Sequence, residues 1–270
     1  MPYTFGAATG DDMTFIAGSN GFGNGTHSFI AGWWYPTTLT AGRGYFSFGN
    51  VAGVKVGTTT SELQMVLDAT VDGVWNTSGA GITTNKWWFL AFLQSATNTG
   101  MAAAWRVWVG DEITRPRPIT PTQATAPTTS FTGSTSRTLG NIGTGTVAFQ
   151  GDIGWALMAS QAHASALRNP IHQSLGTISA AEELLCEQTL VVPLWMGFMP
   201  PGLFLGATNV PTFNVCHLPL EASGNVVDSY SSSTTVTPLA LTLNGATLTQ
   251  NAPPIRLNRG SVYVPRLVRR

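Results

Sequence analysis

Charge is the scarcest property of this chain. Only 10% of its 270 residues are Asp, Glu, Lys or Arg, against about 25% in an average soluble domain. Lysine is nearly missing: of the 13 basic residues, only Lys55 and Lys86 are lysine. The 13 acids balance them, so a general attraction to nucleic acid or acidic lipid is not indicated. Two cysteines, Cys186 and Cys216, are too few for a disulfide framework. They leave room for one bridge, and two buried thiols are the preferred reading. No apolar run reaches the length of about 18 residues that a spanning helix needs. The first residues lack a charged start, an apolar core and a small-residue cleavage site, so no secretory signal is expected. The four histidines, His27, His163, His172 and His217, stand apart from one another, and no Cys/His spacing suggests zinc. There is no G-x-S-x-G elbow. The Gly-x-Gly runs near Gly21 and Gly143 sit between strand-like stretches rather than before a helix. No cofactor is expected.

What fills the space left by charge is Gly, Ser, Thr and aromatics, with 30 glycines and nine tryptophans. That mixture favours strands and turns. The stretch with most information is Asn85 to Asp111, NKWWFLAFLQSATNTGMAAAWRVWVGD, which reads as a β-hairpin. Its first arm is Lys86 to Ser95, its polar turn ends at Gly100, and its second arm is Met101 to Val109. Side chains alternate along a strand. Trp87, Phe89, Ala91 and Leu93 therefore point one way, and Trp88, Leu90 and Phe92 the other. Both sides are apolar, so both faces are expected to be covered. Trp105, Val107 and Val109 share one face of the returning arm.

Strand signals recur at spacings of about 8–12 residues, the pattern of an all-β sandwich or barrel. They fall at Tyr3 to Phe5, Met13 to Ile16, Ser28 to Tyr35, Gly44 to Gly49, Val51 to Val56, Leu63 to Ala69 and Gly73 to Ser78. Ile113 to Arg137 breaks the rhythm with four prolines and no acid, and reads as a long extended arm that contacts a partner. Strands resume at Thr138 to Ile142 and Gly145 to Ala156. Met158 to Leu167 is Ala-rich and is expected to form a short helix. Ser179-Ala180-Ala181-Glu182 is a capping box before a helix running to Gln188. Short strands follow at Phe213 to Leu218, Val226 to Tyr230 and Thr235 to Leu243, then an arginine tail. Arg256, Arg259, Arg266, Arg269 and Arg270 all lie in the last fifteen residues.

Several of these stretches resemble laminin-G-like, concanavalin A-like jelly rolls. Ser28-Phe29-Ile30-Ala31-Gly32-Trp33-Trp34-Tyr35-Pro36 is similar to an early strand of that family, and Asn85 to Phe92 to its central strand. Trp105 to Glu112 resembles the strand and tight turn that follow, with Gly110-Asp111 in place of the usual Asp-Gly. Leu139-Gly140-Asn141 and Phe149 to Gly154 resemble its closing pair, in which the second strand returns to the partner sheet. Ala156-Leu157 into Ala159 to Ala166 resembles the short helical segment that often comes next. The resemblance covers roughly residues 1–167. It implies an all-β, concanavalin A-like (laminin-G-like) antiparallel β-sandwich jelly roll with a short helical segment. Residues 168–270 are then a C-terminal extension or small second domain, with the tail at 255–270. Their texture is similar to structural proteins of tailed bacteriophages.

Relatives of that fold include glycoside hydrolases, which need two carboxyl groups about 5–9.5 Å apart. The acids offer no i, i+2 pair on a strand. Glu62 and Asp68, at six residues, span roughly 20 Å if extended, and Asp111 and Glu112 face opposite ways. Asp11 and Asp12 could ligate calcium, as some relatives do, but a Gly-rich turn explains them as well. The tryptophans on strands are read as packing rather than as a sugar platform. The expectation is a non-enzymatic virion structural protein, a trimeric capsid decoration or cement protein on the capsid surface, assembled in a bacterial cytoplasm. It would bind the major capsid protein through Arg115, Arg117, Arg256, Arg259, Arg266, Arg269 and Arg270, since arginine suits bidentate carboxylate contacts. The alternatives are a glycan-binding tail-spike or receptor-binding module and a glucanase-type hydrolase.

Overall fold

The computed structural model describes residues 3–6, 12–16, 27–48, 51–96, 103–128, 136–142, 147–161, 178–199, 213–218, 226–231, 239–254 and 258–262. Its strands are β1 (Tyr3–Phe5), β2 (Asp12–Ile16), β3 (His27–Pro36), β4 (Gly44–Phe48), β5 (Ala52–Val56), β6 (Leu63–Leu67) and β7 (Gly73–Asn76). Next come β8 (Trp88–Ala96), β9 (Ala103–Asp111), β10 (Arg117–Ile119), β11 (Thr122–Thr125), β12 (Ser136–Leu139) and β13 (Gly151–Gln161). After the helices α1 (Ala180–Cys186) and α2 (Val192–Trp195) come β14 (Phe198–Met199), β15 (Phe213–Leu218), β16 (Val226–Ser231), β17 (Leu239–Asn244), β18 (Thr247–Leu248) and β19 (Asn258–Val262).

These form an antiparallel two-sheet β-sandwich, one of the two folds the strand rhythm allows, and the jelly roll that the resemblance implies. The first sheet runs β10–β9–β8–β3–β13. Beyond β13 it divides, with β1 and β18 beside Gly151 to Ile153 and β15 and β16 beside Ala156 to Gln161. The second sheet runs β17–β2–β12–β4–β5–β6–β7–β11. A short β16–β17 pairing joins the two along one side. β12 lies in the second sheet and β13 in the first, so the chain changes sheets between Leu139 and Ile153. Strands from residues 213–248 pair with β13, β2 and β1. β14 and β19 form a separate parallel pair.

The hairpin is central. β8 lies between β3 and β9, with Ala91 opposite both Ala31 and Trp108. Trp88, Leu90 and Phe92 enter the core between the sheets, with Trp34, Phe46, Trp105 and Val107. Phe46 and Phe92 cross that core edge to face, with ring centres 5.4 Å apart. Trp87, Phe89, Ala91 and Leu93 enter a second core on the opposite face, with Phe29, Trp33, Trp108 and Trp155. The lid of this second core is Ile178, Cys186, Leu190, Val191 and Leu194. Both faces are covered, as expected, and the chain's own helical segment rather than a neighbouring subunit covers the second.

That segment starts as the sequence predicts. Ser179 Oγ accepts from Glu182 N–H, and Glu182 reaches back to Ser179 N–H. It then continues past Gln188, through one π turn at Glu187–Val191, into α2. Pro193 sits in α2, where its ring would press on the carbonyl four residues back in a regular helix. The widened turn before it relieves that clash. Two arginines from the hairpin side fasten the segment. Arg106 pairs with Glu183 and also donates to Ile178 O at 3.2 Å. Arg115 Nη2 donates to Glu187 Oε1 at 2.6 Å.

Two further expectations are corrected. The arm Ile113 to Arg137 is strand-bearing: β10 adds to β9, and β11 adds to β7. Proline is tolerated there because both are edge strands with one side unpaired. Residues 129–135 of the arm lie outside the described residues. The helix expected over Met158 to Leu167, and the helical segment resembling it from Ala156, is strand as far as Gln161. Alanine's helix propensity loses to pairing on both sides, with β3 and β15. Residues 162–167 lie outside the described residues.

If the helical segment is part of the core, Leu190→Ala should lower stability by about 2–5 kcal/mol. Leu184→Ala, on the exposed side of α1, should stay within about 0.5 kcal/mol. Urea midpoints of the two variants check this.

Candidate functional site on the second sheet

With one face of the first sheet under the helices and the other in the sandwich core, the outward face of the second sheet remains. Its composition follows from alternation. Met13, Leu139, Phe46, Val54, Met65 and Trp75 point into the core, so their neighbours point out. The register then aligns them into rows. One row is Thr242, Thr14, Thr138, Ser47, Gly53, Val66 and Val74, on seven adjacent strands. A second is Lys55, Gln64, Asn76 and Thr122. Adjacent members sit about 4.8 Å apart, the spacing between strands.

The middle of the first row is covered. Thr138, Ser47, Gly53 and Val66 are buried, Thr14 and Val74 half-buried, and Thr242 exposed. Gly53 is required in the covered stretch. Its φ is 151°, and a Cβ there would meet Phe46 O at 2.2 Å. Ser47 Oγ is buried with no hydrogen-bond partner. In the second row Gln64 Nε2 donates to Asn76 Oδ1 at 2.9 Å. Lys55 is half-buried and forms no ion pair among the described residues. The face therefore offers hydroxyls, amides, small apolar surfaces and a single described lysine.

The residues singled out from sequence fall elsewhere. Arg115 is bound to Glu187, and Arg117 Nη2 donates to Gly79 O at 2.9 Å. Both lie at the far edge of the first sheet. Arg259 is on β19, while Arg256, Arg266, Arg269 and Arg270 lie outside the described residues. Asp12 Oδ1 accepts from Asn244 Nδ2 at 2.6 Å and from Thr14 Oγ1 at 3.0 Å, which ties β2 to β17. Asp11 lies outside the described residues, and no group of three metal-ligating side chains occurs among those described.

Among the described acids, Glu183 and Glu187 lie one helical turn apart, but each is paired with an arginine. Asp152 accepts from Thr4 Oγ1 and, at 2.5 Å, from Asn251 Nδ2, whose Oδ1 accepts from Trp87 Nε1 at 3.3 Å. Asp111 ends β9, three strands from β13, or about 14 Å across the sheet. That exceeds the separation of either kind of glycosidase pair. All nine tryptophans are buried or half-buried. Trp195 is among the half-buried, its Nε1 donating to Asp111 O at 2.8 Å. The tryptophans therefore pack, as the sequence reading preferred, and none forms an exposed platform. Cys186 is a free, buried thiol whose pKa is pushed up by burial and by Glu183 and Glu187.

No protein-family model matches the chain, and no curated protein matches it. Among solved structures, a candidate carbohydrate binding protein from Bacteroides ovatus ATCC 8483 is similar over 96% of this chain and 63% of that one, with 12% identity and a TM-score of 0.45. This chain thus spans under two thirds of that protein's length. Domain 4 of AbnA, a GH43 extracellular arabinanase from Geobacillus stearothermophilus solved with arabinotriose, is similar over 52% of this chain and 63% of that one, with 18% identity and a TM-score of 0.28. A heptameric SAP-like pentraxin from Limulus polyphemus is similar over 58% and 74%, with 8% identity and a TM-score of 0.32.

One charged corner supports the hairpin. Burial alone would raise the pKa of Asp111. Hydrogen bonds from Lys86 Nζ at 2.7 Å and from the Thr114 and Ile113 N–H groups outweigh it and bring the value down from 3.8 to about 2. A carboxylate depressed in the folded state stabilises above its unfolded pKa, and that stability is lost as pH falls from about 4 toward 2. Asp111→Asn should cost about 1.5–3 kcal/mol at pH 7. It should also flatten the pH dependence of the urea midpoint between pH 4 and pH 2.

Proposed function

We propose that this protein is a non-enzymatic carbohydrate-binding module whose ligand lies on the outward face of the second sheet. The observation that carries the reading is the accessible second row, the Gln64–Asn76 amide pair flanked by Lys55 and Thr122, with half-buried Val74 beside it. A saccharide presents hydroxyls that donate and accept, and apolar C–H faces between them. Hydroxyl and amide side chains match the first, and the half-buried Val74 matches the second. With no tryptophan on this face, affinity rests on hydrogen bonds worth about 0.5–1.5 kcal/mol each, which points to a Kd near about 1 mM. The test is a glycan array followed by calorimetry. Gln64→Ala and Asn76→Ala should each weaken binding about tenfold without moving Tm. A blank array, or variants that bind as the parent does, would overturn the reading.

The virion reading stands as a second proposal: a decoration protein bound to a major capsid protein, at the capsid surface, as a trimer. The doubly apolar strand no longer supports it. What favours assembly now is apolar surface on the outside of the helical segment, where Leu184, Leu185 and Met196 are exposed.

A further inference from the structure

Charge is scarce in this chain, so a cation that stands without a partner is informative by its place. Among the described side chains, Lys86, Arg106 and Arg115 each pair with a carboxylate. Arg43 Nη1 donates to Ala148 O at 2.7 Å, and Arg117 Nη2 to Gly79 O at 2.9 Å. Lys55 has neither kind of acceptor among the described residues. It is half-buried, and it lies on β5, which pairs with β4 on one side and β6 on the other. Lysine commonly guards the open edge of a sheet, but β5 has no open edge. Lys55 stands instead at one end of the row Lys55, Gln64, Asn76 and Thr122.

The row is also unbalanced in hydrogen-bonding capacity. The bond from Gln64 Nε2 engages the Asn76 carbonyl oxygen and leaves both Asn76 Nδ2 hydrogens to donate. Lys55 Nζ adds three donors and no acceptor. Donors therefore outnumber acceptors, and the positive charge sits at one end. Alternation puts Glu62 on the same side of the chain as Gln64, two residues earlier, where it is half-buried and forms no ion pair with Lys55. From this row we infer that the saccharide is acidic and that its anionic group pairs with Lys55 Nζ, an inference that rests on the carbohydrate-binding reading above. Lysine is a compact point charge without the fork that selects planar carboxylates, so a uronate carboxylate and a sugar sulfate both satisfy it. The remaining side chains meet hydroxyls along about 14 Å, three strand spacings. Half-burial of Lys55 reduces the solvent screening that keeps fully exposed charge pairs weak.

An array of oligouronates, sulfated oligosaccharides and neutral oligosaccharides, read with the full chain at low and at physiological salt, tests this. The expected result is signal concentrated on acidic saccharides and falling as salt rises. Calorimetry then compares the strongest acidic ligand with its carboxyl-reduced or desulfated counterpart. The neutral form should bind about tenfold more weakly, the lower end of what a charge-assisted hydrogen bond supplies. Lys55→Gln should bring the acidic form's affinity down to that of the neutral form without moving Tm. Glu62→Gln should strengthen binding of the acidic form, since it removes a negative charge from the same face. Neutral saccharides bound as tightly as acidic ones, or a preference that survives Lys55→Gln, overturns the inference and leaves the carbohydrate reading standing. A blank array overturns that reading, and this inference with it.

Discussion

The fold depends on one constraint: β8 is apolar on both sides and must be covered on both. A strand with one polar side is satisfied by a single packing layer. β8 presents Trp88, Leu90 and Phe92 to one side and Phe89, Ala91 and Leu93 to the other. Burying each large side chain contributes roughly 1.5–3 kcal/mol, so leaving either side wet forfeits several such contributions. The second sheet meets one side and the helical segment meets the other. Three layers follow from one strand, and β3 and β9 follow suit, since Trp33 and Trp108 point outward while Trp34 and Val107 point inward.

Under the proposed reading, this division decides where a ligand can be met. The first sheet is spent on both faces, and its aromatic rings are spent with it. The outward face of the second sheet keeps Gln64, Asn76 and Thr122 within reach of solvent, while Ser47, Gly53 and Thr138 are buried. Residues of these types are abundant here because charge is scarce. A face of lysine and glutamate would hydrate strongly and repel a ligand's apolar patches, whereas hydroxyls and amides give up water at lower cost.

The layers were legible in sequence because they rest on local patterns. The alternation in Asn85 to Asp111 shows which side chains share a face, and Ser179 to Glu182 shows a helix start. The rows were not legible. Thr14, Thr138, Ser47 and Val66 are brought together by pairing across long intervals, and nothing local to any of them announces the register. The same holds for what covers β8: the hairpin demands a lid, but only the fold shows that residues 178–195 supply it. Two stretches misled for a related reason. Ala156 and Ala159 favour helix alone but are held as strand by β3 and β15. Prolines over 116–127 suggest a free arm but are compatible with the edge strands β10 and β11.

The few charges follow the same logic. The three ion pairs among the described residues, Lys86–Asp111, Arg106–Glu183 and Arg115–Glu187, all involve the hairpin, the turn after it, or the helices above it. Apolar burial holds these layers together but has no direction, since a helix can slide over an aromatic surface at little cost in buried area. An ion pair with a hydrogen bond does have direction. Arg106 fixes the start of α1 and Arg115 fixes the π turn, while Lys86 locks the base of the hairpin on which both arginines are carried. Solvent screening keeps the stabilisation from such partly exposed pairs small. Their effect is positional: they select one placement of the lid from many of similar burial. That placement puts Leu184 and Leu185 outward and Cys186 inward, and so sets which side of α1 the solvent meets.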